Sequence, residues 1–180
     1  GDRLLNQEGD ANLSNDTHEF EDLKNHVIIC GFGRVGKMIA HLMGARMVPY
    51  VVIDNDMNRV TEGRSRGVPI YFGDATRDTV LKSIGAERAT SVVISLHNPK
   101  ATLRSALMIR RRYPQLLVAV RLEDDLYESK LKEAGVIIVK PENLEPSMQL
   151  ASAVLETTGI NADEISQVID QYRRTYRKEV

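Results

Sequence analysis

The sequence predicts an α/β fold, in which a doubly wound parallel sheet of six strands is followed by a C-terminal helical appendage. Short apolar segments alternate with helical patterns from residue 26 onward, an order typical of a parallel sheet covered by helices on both faces. A glycine-rich turn joins the first strand to the first helix, and an acidic residue, Asp54, follows the second strand. These observations also place a candidate ligand site at one edge of the sheet.

The predicted strands are short apolar runs bounded by polar residues or glycine. They cover residues 27–30, 48–53, 68–72, 91–96, 116–120 and 136–139. Continuous apolar runs without alternation are typical of strands that are buried on both faces. Right-handed crossovers between them predict the spatial order 3-2-1-4-5-6.

The predicted helices lie between and after the strands. They cover residues 36–43, 56–66, 78–84, 99–113, 125–134, 143–157 and 163–178. Asn98 followed by Pro99 is a helix start signal, and Gly67 and Gly85 are helix stop signals. The last two helices belong to residues 142–180, an appendage that is too small for a second catalytic domain.

The composition is that of a soluble globular protein, with 42% hydrophobic and 27% charged residues. No run approaches 18 apolar residues, so we expect no membrane span in this chain, and a net charge of −1 does not favour nucleic acid as a partner. Residues 1–25 carry seven acidic and two basic side chains. We interpret them as an acidic, flexible linker with Phe20 and Leu23 as docking points, preceding the Rossmann-like α/β domain at residues 26–141.

A single cysteine, Cys30, ends the first strand. One cysteine excludes an intrachain disulfide and any CxxC site. We expect a buried, inert thiol at this position.

The glycine turn Gly31-Phe32-Gly33-Arg34-Val35-Gly36 has the spacing GxGxxG. Gly31 permits the tight turn, Gly33 permits close approach to a pyrophosphate, and Gly36 permits the helix to pack on its strand. The helix that follows supplies free N–H groups and the positive end of its dipole. Since the turn follows a strand and opens a helix, the pattern predicts a Rossmann-like nucleotide site.

Asp54 lies 18 residues after Gly36, where a carboxylate binds the hydroxyl groups of a ribose. A carboxylate at this place repels a 2′-phosphate, which disfavours NADP. AMP, ADP and NAD share the same adenosine half and are not distinguished by this feature.

Two further segments end at the same edge of the sheet. Gly73-Asp74-Ala75 follows the third strand, where a carboxylate at a buried edge can accept a hydrogen bond from an adenine amino group, or Asp74 can cap the next helix. Ser95 and Leu96 end the fourth strand and are candidates for the pocket wall.

Residues for catalysis or metal binding are not evident. His97 has no partner at catalytic or metal spacing, and no proton-transfer pair follows the sheet. We therefore expect a binding site without chemistry. Arg121 ends the fifth strand, where it can bind an anion or form a salt bridge with Glu123 or Asp124.

Residues 26–158 resemble a KTN domain, also called an RCK N-terminal or TrkA-N domain. These are nucleotide-binding regulators of bacterial potassium channels and transporters. The GDATR stretch and the helical tail are similar to Kef-type potassium:proton antiporters. The matching segments are CGFGRVGKMIA at 30–40, VVIDND at 51–56, YFGDATRDTVLKSIGAERA at 71–89, VAVRLEDD at 118–125, LKEAGVIIVKPE at 131–142 and LETTGINADEISQVIDQYRR at 155–174.

The resemblance implies a homodimeric, non-enzymatic domain that binds an adenine nucleotide, AMP or NAD(H), and gates cation efflux. It would be covalently linked to an upstream membrane antiporter domain, at the cytoplasmic face of the bacterial inner membrane. By motif position the glycine turn would contact the phosphates, Asp54 and Asn55 the ribose, and Asp74 and Ala75 the adenine. The expected nucleotide-binding residues are Gly31, Phe32, Gly33, Arg34, Val35, Gly36, Asp54, Asn55, Gly73, Asp74, Ala75, Thr76, Ser95 and Leu96.

In glutathione-gated members of the family an arginine at the end of the fifth strand contributes to the tripeptide site, and Arg121 matches that place. The chain differs from those members because it has the sequence VRLEDD at this place and retains the segment IIVKPE. Binding of glutathione to this domain is therefore left open by the sequence. Two other functions are also open: an NAD-dependent oxidoreductase, and a detached TrkA-type regulatory subunit of a potassium channel or transporter.

Overall fold

The structure is a computed structural model that describes residues 20–140 and 153–176. Parts of the predicted linker and appendage (residues 1–19, 141–152 and 177–180) lie outside the described residues. Six parallel strands form one sheet in the order β3-β2-β1-β4-β5-β6. The strands are β1 Val27–Cys30, β2 Tyr50–Asp54, β3 Ile70–Phe72, β4 Ser91–Ile94, β5 Leu117–Arg121 and β6 Ile137–Val139. The predicted fold class and strand order are confirmed.

Helices cover both faces of this sheet. They are α1 Arg34–Ala45, α2 Met57–Ser65, α3 Asp78–Ser83, α4 Pro99–Arg112, α5 Glu128–Glu133 and α6 Ala162–Tyr176, with a 3-10 turn at Ala86–Arg88 and a short helical stretch at 153–156. The second strand begins at Tyr50 rather than residue 48, because Pro49 has no N–H to donate to a ladder. The fourth ends at Ile94, which pairs with Cys30, the last residue of β1.

The two faces of β1 contribute to two separate hydrophobic cores. Val27 and Ile29 pack with α1 on one face, while Ile28 and Cys30 pack with α3 and α4 on the other. All four side chains are completely buried. Burial raises the pKa of the Cys30 thiol to about 12, so the thiol stays protonated, as expected for an inert buried cysteine.

The described part of the appendage packs on α1 of the same chain. Val154, Leu155 and the α6 residues Ile165, Val168 and Ile169 are buried in the core that contains α1. Arg46, which follows α1, donates a hydrogen bond of 2.9 Å from Nη2 to the carbonyl oxygen of Glu164. The helix that follows the glycine turn therefore contacts the appendage directly.

The segment at residues 20–25 docks on the domain. Phe20 is 3% exposed, and its ring meets that of Tyr71 edge to face at 4.7 Å. Arg88 donates from Nη2 to the carbonyl oxygen of Phe20 at 2.9 Å and from Nε to that of Leu23 at 3.0 Å. Both predicted docking points thus contact the domain, and the packed structure begins before residue 26.

Truncation of Phe20 tests this docking. We expect Phe20→Ala to lower the free energy of unfolding by about 3 kcal/mol, the usual cost of removing a buried phenylalanine ring. The measurement is urea denaturation followed by circular dichroism. Leu126→Ala is the control, since Leu126 is 70% exposed and should cost less than about 0.5 kcal/mol. Equal stability of the two variants would contradict the docking.

His26 is a buried titratable group at the start of β1. Its Nε2 lies 2.8 Å from the carbonyl oxygen of Ile84, which only accepts, so Nε2 carries the hydrogen. Its Nδ1 has no hydrogen-bond partner among the described residues. Burial lowers the pKa of His26 below 6.5, because the charged ring would be desolvated. The folded state therefore holds His26 neutral.

This burial predicts a pH dependence of stability. Well above pH 6.5 the ring is neutral in both the folded and the unfolded state. As the pH is lowered through 6.5, the unfolded chain binds the proton before the folded protein does, so the free energy of unfolding decreases. The loss is at most about 1.4 kcal/mol per pH unit between the two pKa values. We expect His26→Gln to flatten the stability profile between pH 7.5 and 5.5 in urea denaturation. An unchanged profile would show that other groups cause the pH dependence.

Candidate functional site

An open cavity of about 210 Å³ lies at the carboxyl ends of β1 to β4. The strand order reverses between β1 and β4, and ligands of doubly wound folds bind at such a switch point. The wall is formed by Gly31, Ile53, Asp54, Asn55, Arg59, Gly73, Asp74, Ala75, Thr76, Ser95, Leu96, His97, Asn98 and Ala101.

The glycine turn is too close-packed for side chains at its two ends. Gly31 has a φ of +101°, and a Cβ on it would lie 2.5 Å from the carbonyl oxygen of Ser95. A Cβ on Gly36 would lie 1.9 Å from the carbonyl oxygen of Gly31. Both clashes are with backbone atoms, which cannot move aside as a side chain can. Glycine at these positions therefore allows α1 to start directly beside β1.

No capping side chain and no acidic residue of α1 itself neutralises the N-terminus of this helix. Its N-cap, Gly33, makes no side-chain capping hydrogen bond, and the first turn contains no acidic residue. The first N–H groups of a helix have no partner within the helix, and the helix dipole makes this end positive. The arrangement is suited to an anion.

Asp54 joins the end of β2 to the glycine turn. Its side chain is 3% exposed, its Oδ2 accepts from the Phe32 N–H at 2.7 Å, and its Oδ1 accepts from the Asp56 N–H at 2.8 Å. The Arg59 Nη1 lies 3.5 Å from Oδ2. A carboxylate has about four acceptor sites, so Asp54 retains capacity for hydroxyl groups of a ligand in the cavity.

Asp74 differs from the expectation of a carboxylate at a buried edge, because it is exposed. Its Oδ1 accepts from both the backbone N–H and the hydroxyl of Thr76, at 2.9 and 2.7 Å, and the residue lies in the cavity wall. It is not the cap of α3 either, since the N-cap of that helix is Arg77. The adjacent Ala75 is buried, and its carbonyl oxygen accepts from the Ser105 hydroxyl at 2.9 Å.

The structure separates the expected site residues into two groups. Those that line the cavity are Gly31, Asp54, Asn55, Gly73, Asp74, Ala75, Thr76, Ser95 and Leu96. Phe32, Gly33, Arg34, Val35 and Gly36 are not part of the wall: the side chains of Phe32 and Val35 are buried in the core, and Arg34 is exposed.

Several wall residues were not among those expected from the sequence. They are Ile53, Arg59, His97, Asn98 and Ala101. Arg59 lies in the first turn of α2, the helix that follows Asp54. Ile53 precedes Asp54 directly, His97 and Asn98 follow Leu96 directly, and Ala101 lies in the first turn of α4.

Arg121 is not part of the cavity wall. Its side chain is 15% exposed and forms an ion pair with Glu123. Of the two alternatives that the sequence left open, the structure shows the salt bridge. In the part of the chain that the structure describes, no group of three or more His, Cys, Asp or Glu side chains is arranged to hold a metal ion.

The family model of the TrkA-N domain matches residues 27–141. The chain belongs to the TrkA-N domain family. The match includes all six strands of the sheet and every residue of the cavity wall.

Two relatives show where such a domain is found. K(+) efflux antiporter 1, chloroplastic, of Arabidopsis thaliana is 43% identical over 162 residues, which is 90% of this chain and 14% of that protein. The putative K(+) efflux antiporter KefB of Alkalimonas amylolytica is 34% identical over 158 residues, 88% of this chain and 24% of that protein. This TrkA-N domain thus spans from a seventh to a quarter of the length of these relatives. Among residues 20–140 and 153–176, no helix is long and apolar enough to cross a membrane.

Solved structures share the fold. The TrkA-N domain of inner membrane protein ybaL from Escherichia coli has a TM-score of 0.63 and 26% identity, covering 75% of this chain and 97% of that one. The Kef CTD of Shewanella denitrificans in its AMP-bound form has a TM-score of 0.58 and 23% identity, covering 86% and 94%. The GsuK channel bound to NAD has a TM-score of 0.60 and 18% identity, covering 67% and 22%.

Two substitutions within α1 test the packing of the turn. We expect Gly36→Ala to lower the free energy of unfolding by more than about 3 kcal/mol, because its Cβ would overlap a backbone carbonyl. Gly44→Ala is the matched control: its Cβ would meet nothing closer than 3.9 Å, and alanine should raise stability by about 0.5–1 kcal/mol. Urea denaturation measures both, and a Gly36→Ala variant as stable as Gly44→Ala would contradict the geometry.

Proposed function

We propose that this TrkA-N domain binds an adenine nucleotide, AMP or NAD(H), as a regulatory ligand and thereby gates a potassium (monovalent cation):proton antiporter. The observation that carries the proposal is the cavity at the switch point of the sheet. Gly31 of the glycine turn, the buried Asp54 and the segments that follow β3 and β4 line it together.

Different parts of the cavity wall contact different parts of the nucleotide. The ribose hydroxyls donate to Asp54, and Asn55 lies beside it. The adenine lies against Ala75 and Leu96, and the phosphates lie toward the glycine turn. A ligand with a phosphate on its 2′-oxygen is disfavoured, because the buried carboxylate of Asp54 would repel it. AMP and NAD(H) satisfy these conditions, and the names of the solved Kef CTD and GsuK structures state that they bind AMP and NAD.

The ligand acts as a signal and not as a substrate in this proposal, and the domain is not an enzyme. Its relatives are much longer antiporters, so the domain is linked to an upstream membrane antiporter module. We place the domain at the cytoplasmic face of the bacterial inner membrane, as a homodimer. Arg121 is paired with Glu123, and we assign no glutathione or other second ligand to it.

A ligand shifts a gate only by binding one conformation better than another. The structure offers a contiguous set of contacts for such a shift. The glycine turn begins α1, and α1 packs against Val154, Leu155 and Ile165 of the appendage. A change at the phosphate-binding turn is therefore transmitted to the appendage without crossing the sheet.

Isothermal titration calorimetry with AMP and NADH tests the binding. We expect Asp54→Asn and Asn55→Ala to weaken binding of both ligands, by about tenfold or more for Asp54→Asn, because a hydrogen bond to a charged group is worth about 1.5–3 kcal/mol. Asn55 is exposed, so its truncation leaves the fold intact even if Asp54→Asn loosens the turn. Asp163→Asn, an exposed carboxylate of α6, is the control and should bind as wild type.

Two outcomes would overturn the proposal. If the wild-type domain bound neither nucleotide, the proposed nucleotide binding would be wrong. If potassium efflux by the full-length antiporter in proteoliposomes did not depend on the nucleotide, the proposed gating would be wrong. Reduction of nicotinamide by the purified domain above background would favour the oxidoreductase instead.

A further inference from the structure

His97 follows β4 and lies in the cavity wall beside the glycine turn. An ideal Cβ on Gly33 would be 3.4 Å from the His97 Nε2, so the ring is adjacent to the backbone that caps α1. The side chain is exposed. Its ring nitrogen is therefore next to the N–H groups of α1 that have no capping side chain.

Two helices begin next to this imidazole. The first is α1, with Gly33 as an N-cap that supplies no side-chain bond. The second is α4, in which the Asn98 Oδ1 accepts from the N–H groups of Lys100 and Ala101 at 3.0 and 3.2 Å. Neither helix has an acidic residue in its first turn. The N-terminus of each helix is the positive end of its dipole, which favours an anion.

The polar groups of the site differ between its two ends. Asp54 and Asp74, with Arg59 beside Asp54, line the part that follows β2 and β3, while His97 lines the part that follows β4, next to the Gly33 backbone. Hydroxyl and amino donors of a nucleoside match the carboxylate end. The donors at the other end match the phosphate of the same molecule.

We propose that His97 is a phosphate-binding residue of this site, donating from its imidazole to the 5′-phosphate that the α1 N-terminus also binds. The inference rests on the proposed function and adds a residue to it. His97 thereby makes the site selective for the nucleotide over the nucleoside.

Calorimetry with AMP and adenosine separates the phosphate contact from all others. We expect His97→Ala to weaken AMP binding about tenfold, since a hydrogen bond to a charged group is worth about 1.5–3 kcal/mol, and to leave adenosine binding unchanged. His97→Gln retains a donor near the position of Nε2 and should recover part of the AMP affinity. His41→Ala, an exposed histidine of α1 outside the cavity wall, is the matched control and should bind both ligands as wild type.

An equal loss of AMP and adenosine affinity, or no loss at all, in His97→Ala would overturn the assignment. Thermal melts of each variant accompany the titrations, and a melting temperature equal to that of wild type excludes unfolding as the cause of an equal loss. If the wild type binds AMP and only the His97 comparison fails, the proposed function stands and this inference alone is wrong. If the wild type binds neither ligand, the proposed function fails first.

Discussion

The hydrogen bond from the Phe32 N–H to the buried Asp54 carboxylate is the interaction on which the site depends. It fixes the glycine turn of β1 against the end of β2, and the second oxygen of Asp54 fixes the start of the next loop through Asp56. The same carboxylate lines the cavity. Asp54 therefore shapes the site independently of a ligand, so less ordering is required when a ligand binds.

The close packing at Gly31 and Gly36 extends this constraint to the whole of one sheet face. Because Gly36 lies against the Gly31 carbonyl, α1 cannot shift along β1 without moving the turn. The appendage covers the outer side of α1. The turn, the helix and the appendage form one packed series, with the cavity at one end and a surface far from it at the other.

Local sequence patterns predicted the strands, their order, the glycine turn and Asp54, because each depends on neighbouring residues and on the general rules of parallel sheets. Contacts between distant segments were less predictable. The exposure of Asp74 depends on its turn with Thr76, and the position of His97 depends on how close the β4–α4 loop comes to Gly33. Phe20 was recognised as a docking point, but only the fold shows that its partner is Tyr71. The wall position of Arg59 required the orientation of α2 against β2.

The burial of Cys30 makes the chain's single thiol an internal reporter. It occupies the last position of β1, immediately before Gly31, and pairs in register with Ile53 and Ile94 of the two neighbouring strands. Its side chain is buried in the core that contains residues of α3 and α4. An alkylating reagent reaches it only after this core opens, so the rate of labelling reports the free energy of that opening. A ligand that binds the closed turn adds its own binding free energy to this quantity. The labelling rate of this native thiol therefore measures how far a ligand occupies the site beside it.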